Sequence, residues 1–144
     1  MFKKMLLAYD GSPCAQSAFG TALSLAKAES SALTICTVVD PIEIAGANAP
    51  MPPTQAALDD ALSRARSMLA DAASRAREAG VNASTELLEG EPAYELVTLA
   101  GRLGVDVIVM GTHGRSGLKR LFLGSVAEET LRSAGVPVVV VHQK

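Results

Sequence analysis

Three glycines and a serine near the end of the chain, Gly111-x2-Gly114-x9-Gly124-Ser125, have the types and spacing to hold an anion. Glycines let a backbone turn tightly and approach a ligand with no Cβ in the way. If a helix begins at this point, the N–H groups of Gly124, Ser125 and Val126 point at the ligand, and the helix dipole favours negative charge there. No acidic residue lies between Gly111 and Ala127, whereas Arg115, Lys119 and Arg120 stand close to His113. In a chain of formal net charge −2, that local basic excess fits a phosphate partner. The loop is not a Walker loop, since no Gly-Lys-Ser/Thr follows, and it lacks the Gly-x-Gly of a Rossmann fingerprint. A structural reading of the same residues stands beside this one. Ser125-Val126-Ala127-Glu128 has the spacing of a capping box, with Ser125 satisfying backbone N–H groups and Glu128 reaching back.

Other chemically able residues carry weaker signals. Asp10, in Asp10-Gly11-Ser12, either contacts a ligand or caps the turn into the next helix. Cys14 falls in the first turn of that helix, where a thiolate is stabilised, but a small half-buried side chain is the simpler reading. His113 either touches a phosphate or ribose or faces solvent, and His142 reads as surface. Arg64, Arg66, Arg75 and Arg77, with Asp59, Asp60, Asp71 and Glu78, read as the solvated face of a long helix. No Ser/His/Asp set, metal-ligand cluster or Walker-type aspartate is recognisable, which argues against an enzyme.

The elements that must position these residues follow from the apolar period. Met5 to Tyr9 is a short apolar run, as in a strand buried on both faces. Ser12 can cap a helix with Pro13 at its first position, and Ala18, Ala22, Leu25 and Ala26 carry that helix to about Glu29. Leu33 to Val39 is a second strand. The stretch from Asp40 to Pro53, with five Pro or Gly, is expected to be irregular. A long helix runs from Thr54 to Ala79 and stops at Gly80. Ala83 to Leu88, Val105 to Met110 and Val136 to Val141 read as strands, with helices from Pro92 to Leu103 and from Ser125 to Ala134. Apolar strands alternating with single helices are the pattern of a parallel sheet covered on both faces by right-handed crossovers. Such open sheets bind ligands at the carboxyl ends of strands where the winding reverses.

Composition bounds the partners. At 144 residues the chain is one domain's worth and can bury a full core. Hydrophobic residues at 49% against 19% charged exclude a disordered chain. Near-neutral charge and 3% aromatics give no field or stacking platform for nucleic acid, and no expected attraction to an anionic membrane. Two cysteines do not make a disulfide scaffold. The N-terminal apolar run stops at Asp10 after about five residues, short of a secretory segment, and no run reaches the ~20 of a membrane span. The expectation is a cytoplasmic, reduced protein.

Taken in order, these motifs resemble the universal stress proteins, in the branch that binds ATP through Gly-x2-Gly-x9-Gly-Ser/Thr. The likeness runs over nearly the whole chain. It includes the opening Lys3-Lys4-Met5-Leu6-Leu7-Ala8-Tyr9-Asp10-Gly11-Ser12, Val38-Val39-Asp40-Pro41, Gly104-Val105-Asp106-Val107-Ile108-Val109-Met110-Gly111-Thr112-His113-Gly114, and the closing Val136-Pro137-Val138-Val139-Val140-Val141. The resemblance implies a Rossmann-like α/β fold over residues 1–144, an open five-stranded parallel sheet of order 3-2-1-4-5. It also implies a site. Asp10 would hold the ribose or adenine side, and Val38 would offer backbone hydrogen bonds to adenine. Met110 and Gly111 would line the ribose, and Gly114, Gly124, Ser125 and Val126 would cradle the phosphates, with Mg²⁺ bridging them. Ala8 stands where some members have proline, and His113 and Arg115 belong to the same loop.

Three functional readings follow. The first is an ATP-binding regulatory module of the stress response, with at most slow hydrolysis, whose occupancy is sensed by partner proteins. The second is a slow ATPase or phosphotransferase. The third is a nucleotide-free dimeric stress module. In the implied sheet order the last strand lies at an edge, and an apolar edge invites pairing with another chain. A homodimer through Val138 to Val141 is therefore expected, with both faces of that strand buried and Val139 as the position where proline would break the pairing.

Overall fold

The computed structural model describes residues 1–46, 48, 51–114 and 123–143. The chain runs β1 (Lys4–Ala8), α1 (Pro13–Glu29), β2 (Ala32–Val39), α2 (Pro41–Ala45), α3 (Gln55–Glu78), β3 (Asn82–Glu89), α4 (Pro92–Leu103), β4 (Val107–Gly111), α5 (Ser125–Ser133) and β5 (Val138–Val141). All pairings are parallel, in the order β3-β2-β1-β4-β5. The winding reverses between β1 and β4, as the sequence reading requires.

Period-two alternation in the central strands feeds two cores. Met5, Leu7, Val107 and Val109 join α1 and α3 through Ala18, Phe19, Ala22, Leu69, Ala72 and Ala76. Leu6, Ile108 and Met110 face the other way, onto Leu96, Leu99 and Ala100 of α4 and Ala127 of α5. Met5, Leu6 and Leu7 are fully buried, each such side chain contributing about 1.5–3 kcal/mol. Small alanines on α1 and α3 let both helices lie close to the sheet, so a core with few aromatics still fills.

The termini of these elements obey local chemistry. Ser12 caps α1, its Oγ accepting from the Ala15 N–H at 3.2 Å, with Pro13 at the first position. Gly104 ends α4 at φ +65°. At the end of the sheet where β1 and β4 begin, the Asp106 carboxylate accepts the backbone N–H groups of Lys3 and Lys4 at 2.8 and 2.9 Å. Those bonds hold its pKa below the ordinary carboxylate value. Their contribution is therefore complete above the ordinary carboxylate pKa and is lost as pH falls through the lowered one.

Four expectations are corrected. The Asp40–Pro53 segment is not wholly irregular: Pro41–Ala45 is a helical turn. Asp40 Oδ1 accepts from the Ile42 N–H at 2.9 Å, and Pro41 occupies the first position. Aspartate followed by proline is a helix start, the same logic as Ser12-Pro13. The strand in the Val105–Met110 region begins only at Val107, because the Val105 N–H is taken by the Ala100 carbonyl at the end of α4. The valines of β5 are half-buried rather than covered on both faces, as befits an edge strand. Finally, the direction of the β5 rungs alters the reading of Val139. Ile108 N–H donates to the Pro137 carbonyl and Thr112 N–H to the Val141 carbonyl. Backbone groups of alternate residues point to opposite sides of a strand. Pro137, Val139 and Val141 therefore face β4, and Val138 and Val140 present their N–H and C=O groups to the open edge.

Candidate functional site

Where β1 and β4 part, the structure opens a cleft of about 440 Å³, within the size range of small-molecule sites. Ala8, Asp10, Val38, Met110, Gly111, His113, Gly114, Gly124, Ser125 and Val126 all line it. Residues 100 positions apart in the chain are thus brought to one place by the crossover topology. Arg115, with Lys119 and Arg120, lies outside the described residues.

One end of the cleft is built by the turn after β4 and the start of α5. The Gly124 N–H donates to the Thr112 carbonyl at 2.7 Å. A Cβ on Gly124 would sit 2.7 Å from that oxygen and 3.3 Å from the His113 Cα. A Cβ on Gly114 would come within 2.9 Å of Asp10 Oδ2. The glycines are thus required by close approach, between the two arms of the loop and towards Asp10. Gly111 has the same character on its inner side, where a Cβ would meet Cys14 Cβ at 2.7 Å.

The capping reading of Ser125 does not hold. Gly124 is the N-cap of α5, Ser125 is the first helical residue, and among the described residues no side chain caps this end. Glu128 turns instead to Arg132, at 2.6 Å. The expectation that Gly124 offers a free N–H is also corrected, since the Thr112 carbonyl takes it. The helix dipole therefore meets the cleft at the Ser125 and Val126 end of α5, where negative charge is favoured.

His113 is half-buried rather than solvent-facing. Its Nδ1 lies 3.1 Å from Thr112 Oγ1, which in turn is 3.5 Å from Cys14 Sγ. Its Nε2 is buried without a hydrogen-bond partner among the described residues. A buried polar atom in that state costs about 1–3 kcal/mol unless something pairs with it. Cys14 itself is 7% exposed and packs behind Gly111. Asp10 both turns the chain, its Oδ1 accepting from the Ser12 N–H at 2.9 Å, and lines the cleft.

The other end is formed by the close of β2, by α2 and by α3. The sequence reading singled out only Val38 here. Thr37, Glu43, Ile44 and Arg64 also line this end. The Asp40-Pro41 helix start was the available signal for α2, and the Ala61-x2-Arg64-Ala65 spacing for one face of α3. Arg64 is an exposed side chain paired with Asp60 at 3.1 Å, so its solvated reading and its place at the rim are compatible. Arg75 and Arg77 are not merely solvated: Arg75 lies 4.6 Å over the Phe19 ring, and Arg77 donates to the Ala83 carbonyl at 3.0 Å. Cys36 closes the floor. Burial, with a smaller push from Glu86, raises its pKa to about 12, so it stays a thiol at neutral pH. Among the described residues no three His, Cys, Asp or Glu side chains converge on a metal position.

The ladder explains why Val38 is available. Cys36 faces β1, and its carbonyl accepts the Tyr9 N–H at 2.8 Å; Val39 faces β3, and its carbonyl accepts the Gly90 N–H at 3.0 Å. By alternation Val38 faces the β1 side, but β1 has ended at Ala8. Its N–H and C=O are directed into the cleft.

Residues 1–142 match the model of the universal stress protein family. The chain is 36% identical over 144 residues to Universal stress protein MJ0531 of Methanocaldococcus jannaschii, covering 99% of this chain and 84% of that protein. It is 35% identical over 148 residues to Universal stress protein YxiE of Bacillus subtilis, covering 99% and 100%. Among solved structures, MJ0577 of Methanocaldococcus jannaschii superposes with a TM-score of 0.85 at 28% identity, over 100% of this chain and 98% of the other. A universal stress protein solved in complex with cAMP superposes at 0.74 with 25% identity, over 99% and 98%.

Proposed function

The chain belongs to the universal stress protein family, and from that premise we propose that it binds ATP in the cleft between β1 and β4 as a regulatory module of the stress response. One observation carries the reading. A single cleft joins an open backbone edge at Val38, suited to a base, to a glycine-built helix N-terminus at Ser125 and Val126, suited to phosphate. The polarity of the cleft matches: Asp40 and Glu43 lie at the Val38 end, whereas no acidic residue occurs from Gly111 to Ala127. Asp10, Met110 and Gly111 would hold the ribose, with Ala8 beside them, and Gly114, Gly124, Ser125 and Val126 the phosphates. His113 Nε2 would gain the partner it lacks. Mg²⁺ fits this arrangement as an ion carried mainly by phosphate oxygens and water, since the described residues offer it no cage.

In this reading residues 1–144 act as one nucleotide-binding domain in the cytoplasm, and its partners respond to occupancy. No helix among the described residues is long and apolar enough to cross a membrane. Hydrolysis is expected to be very slow. Phosphoryl transfer needs a positioned water and charge stabilisation around the γ-phosphate, and no acid and base pair among the described residues stands ready for the first task. Freshly purified protein, denatured and analysed by mass spectrometry, is expected to release an adenine nucleotide. A steady-state rate of several per second, near the ~10 per second of ordinary enzymes, would instead support the ATPase reading. Nucleotide-free protein that cannot be loaded would support the dimeric module.

A further inference from the structure

We propose that Thr37 is a positioning residue for the base: its hydroxyl occupies the Tyr9 carbonyl and so keeps the Val38 backbone edge open. The inference rests on the nucleotide reading above and names the device that makes it selective. In a parallel ladder the rung after Tyr9 N–H to Cys36 C=O runs from the Val38 N–H to the Tyr9 carbonyl. The structure does not make that rung. The Tyr9 carbonyl accepts from Thr37 Oγ1 instead, and the paired register of β1 with β2 stops at Ala8 and Cys36. Thr37 is 6% exposed and Tyr9 4%, and a carbonyl in so buried a setting calls for a hydrogen-bond partner. A side-chain donor meets that need and leaves the Val38 N–H unspent.

The consequence is chemical selectivity. Val38 offers an acceptor and a donor side by side. Adenine presents a complementary pair, the N6 amino group as donor and N1 as acceptor. Guanine reverses both, with O6 as acceptor and N1–H as donor. For a nucleotide anchored at its phosphates, only the adenine edge meets Val38 correctly. Without the Thr37 hydroxyl, the Tyr9 carbonyl would draw in the Val38 N–H, completing the rung and closing the edge.

Calorimetry with ATP and GTP on the wild type, Thr37→Val and Thr37→Ser tests this. In Thr37→Val, affinity for ATP should fall by about tenfold while that for GTP changes by less than about threefold, which is roughly one hydrogen bond's worth of discrimination. Thr37→Ser, which keeps the hydroxyl, should restore the preference for ATP. A merely structural role would weaken both nucleotides alike, and that result, or an unchanged ATP affinity, overturns the proposal. A second measurement needs no variant. Amide hydrogen exchange on the nucleotide-free wild type should show Val38 fast between a slow Cys36 and a slow Val39, and Val38 slowed once ATP is added. A Val38 amide already protected without nucleotide overturns the proposal even if Thr37→Val fails to fold. Wild-type protein that binds neither nucleotide overturns the nucleotide reading, and this inference with it. Wild-type protein that prefers ATP while Thr37→Val does too overturns this inference alone.

Discussion

The Gly124→Val protein should bind ATP about a hundredfold more weakly than wild type, the equivalent of one or two charge-assisted hydrogen bonds, while its far-ultraviolet circular dichroism stays that of the parent. The loss does not come from backbone strain. Gly124 sits at φ −63° and ψ 155°, a conformation open to any residue. It comes from the space beside it. A Cβ there would lie 2.7 Å from the Thr112 carbonyl and 3.3 Å from the His113 Cα. The two arms of the loop must then part, breaking the 2.7 Å bond from the Gly124 N–H to Thr112 and moving the start of α5 away from His113. The core is untouched, so the cost to stability is expected near 1 kcal/mol, a few degrees of melting temperature for a chain of this length. Gly124→Ala carries the same Cβ and should shift binding in the same direction. If calorimetry finds either variant binding ATP as tightly as wild type, the cradle has been placed wrongly.

The second large effect concerns assembly. β5 lies at the sheet edge, and we expect it to pair with its own copy across a two-fold axis, a self-complementary arrangement. Light scattering at ~100 μM should report a dimer, since even an association free energy of about −6 kcal/mol populates it there. Proline substitution along the strand then separates two roles. Val140 faces the open edge, so Val140→Pro removes an N–H from the interface and should yield a folded monomer. Val139 faces β4, so Val139→Pro breaks a rung inside the chain and should lower stability by about 1–3 kcal/mol, the cost of a ladder acceptor left unpaired. A wild-type monomer at that concentration rejects the proposed dimer. A dimer indifferent to Val140→Pro must be held through another surface.

The contrast between Val139 and Val140 shows where reading a sequence stops. Four near-identical valines announce a buried or edge strand, yet nothing in their types tells which of them points outward. That parity is set by Pro137 and Ile108, a pairing between segments 29 positions apart. Local signals, by contrast, were legible. Ser12-Pro13, Gly80 and Gly104 mark helix ends by chemistry that acts within a few residues, and they stand where the sequence puts them. The ten described residues singled out through the family resemblance do line one cleft. The capping alternative for Ser125 fails, because a capping box requires the helix to begin one residue later than it does, and Gly124 is the cap. Thr37 was missed for the opposite reason. A threonine inside a β-branched run looks like any strand residue until the neighbouring strand is seen to end at Ala8, leaving the Tyr9 carbonyl beside it.

If the cleft takes a nucleotide as proposed, the first turn of α5 ties folding to supply. Since no side chain among the described residues closes this helix, an anion seated there would do for the native state what a serine or aspartate does elsewhere, worth about 0.5–2 kcal/mol in ordinary helices. The unfolded chain has no such seat, so ligand stabilises the fold by RT ln(1 + [L]/Kd), about 2.7 kcal/mol at a hundred times Kd. A cell rich in nucleotide would thus keep this protein long-lived, whereas one starved of it would open α5 first and hand the chain to its proteases. Abundance itself would then become a slow record of energetic history, written at one helix end.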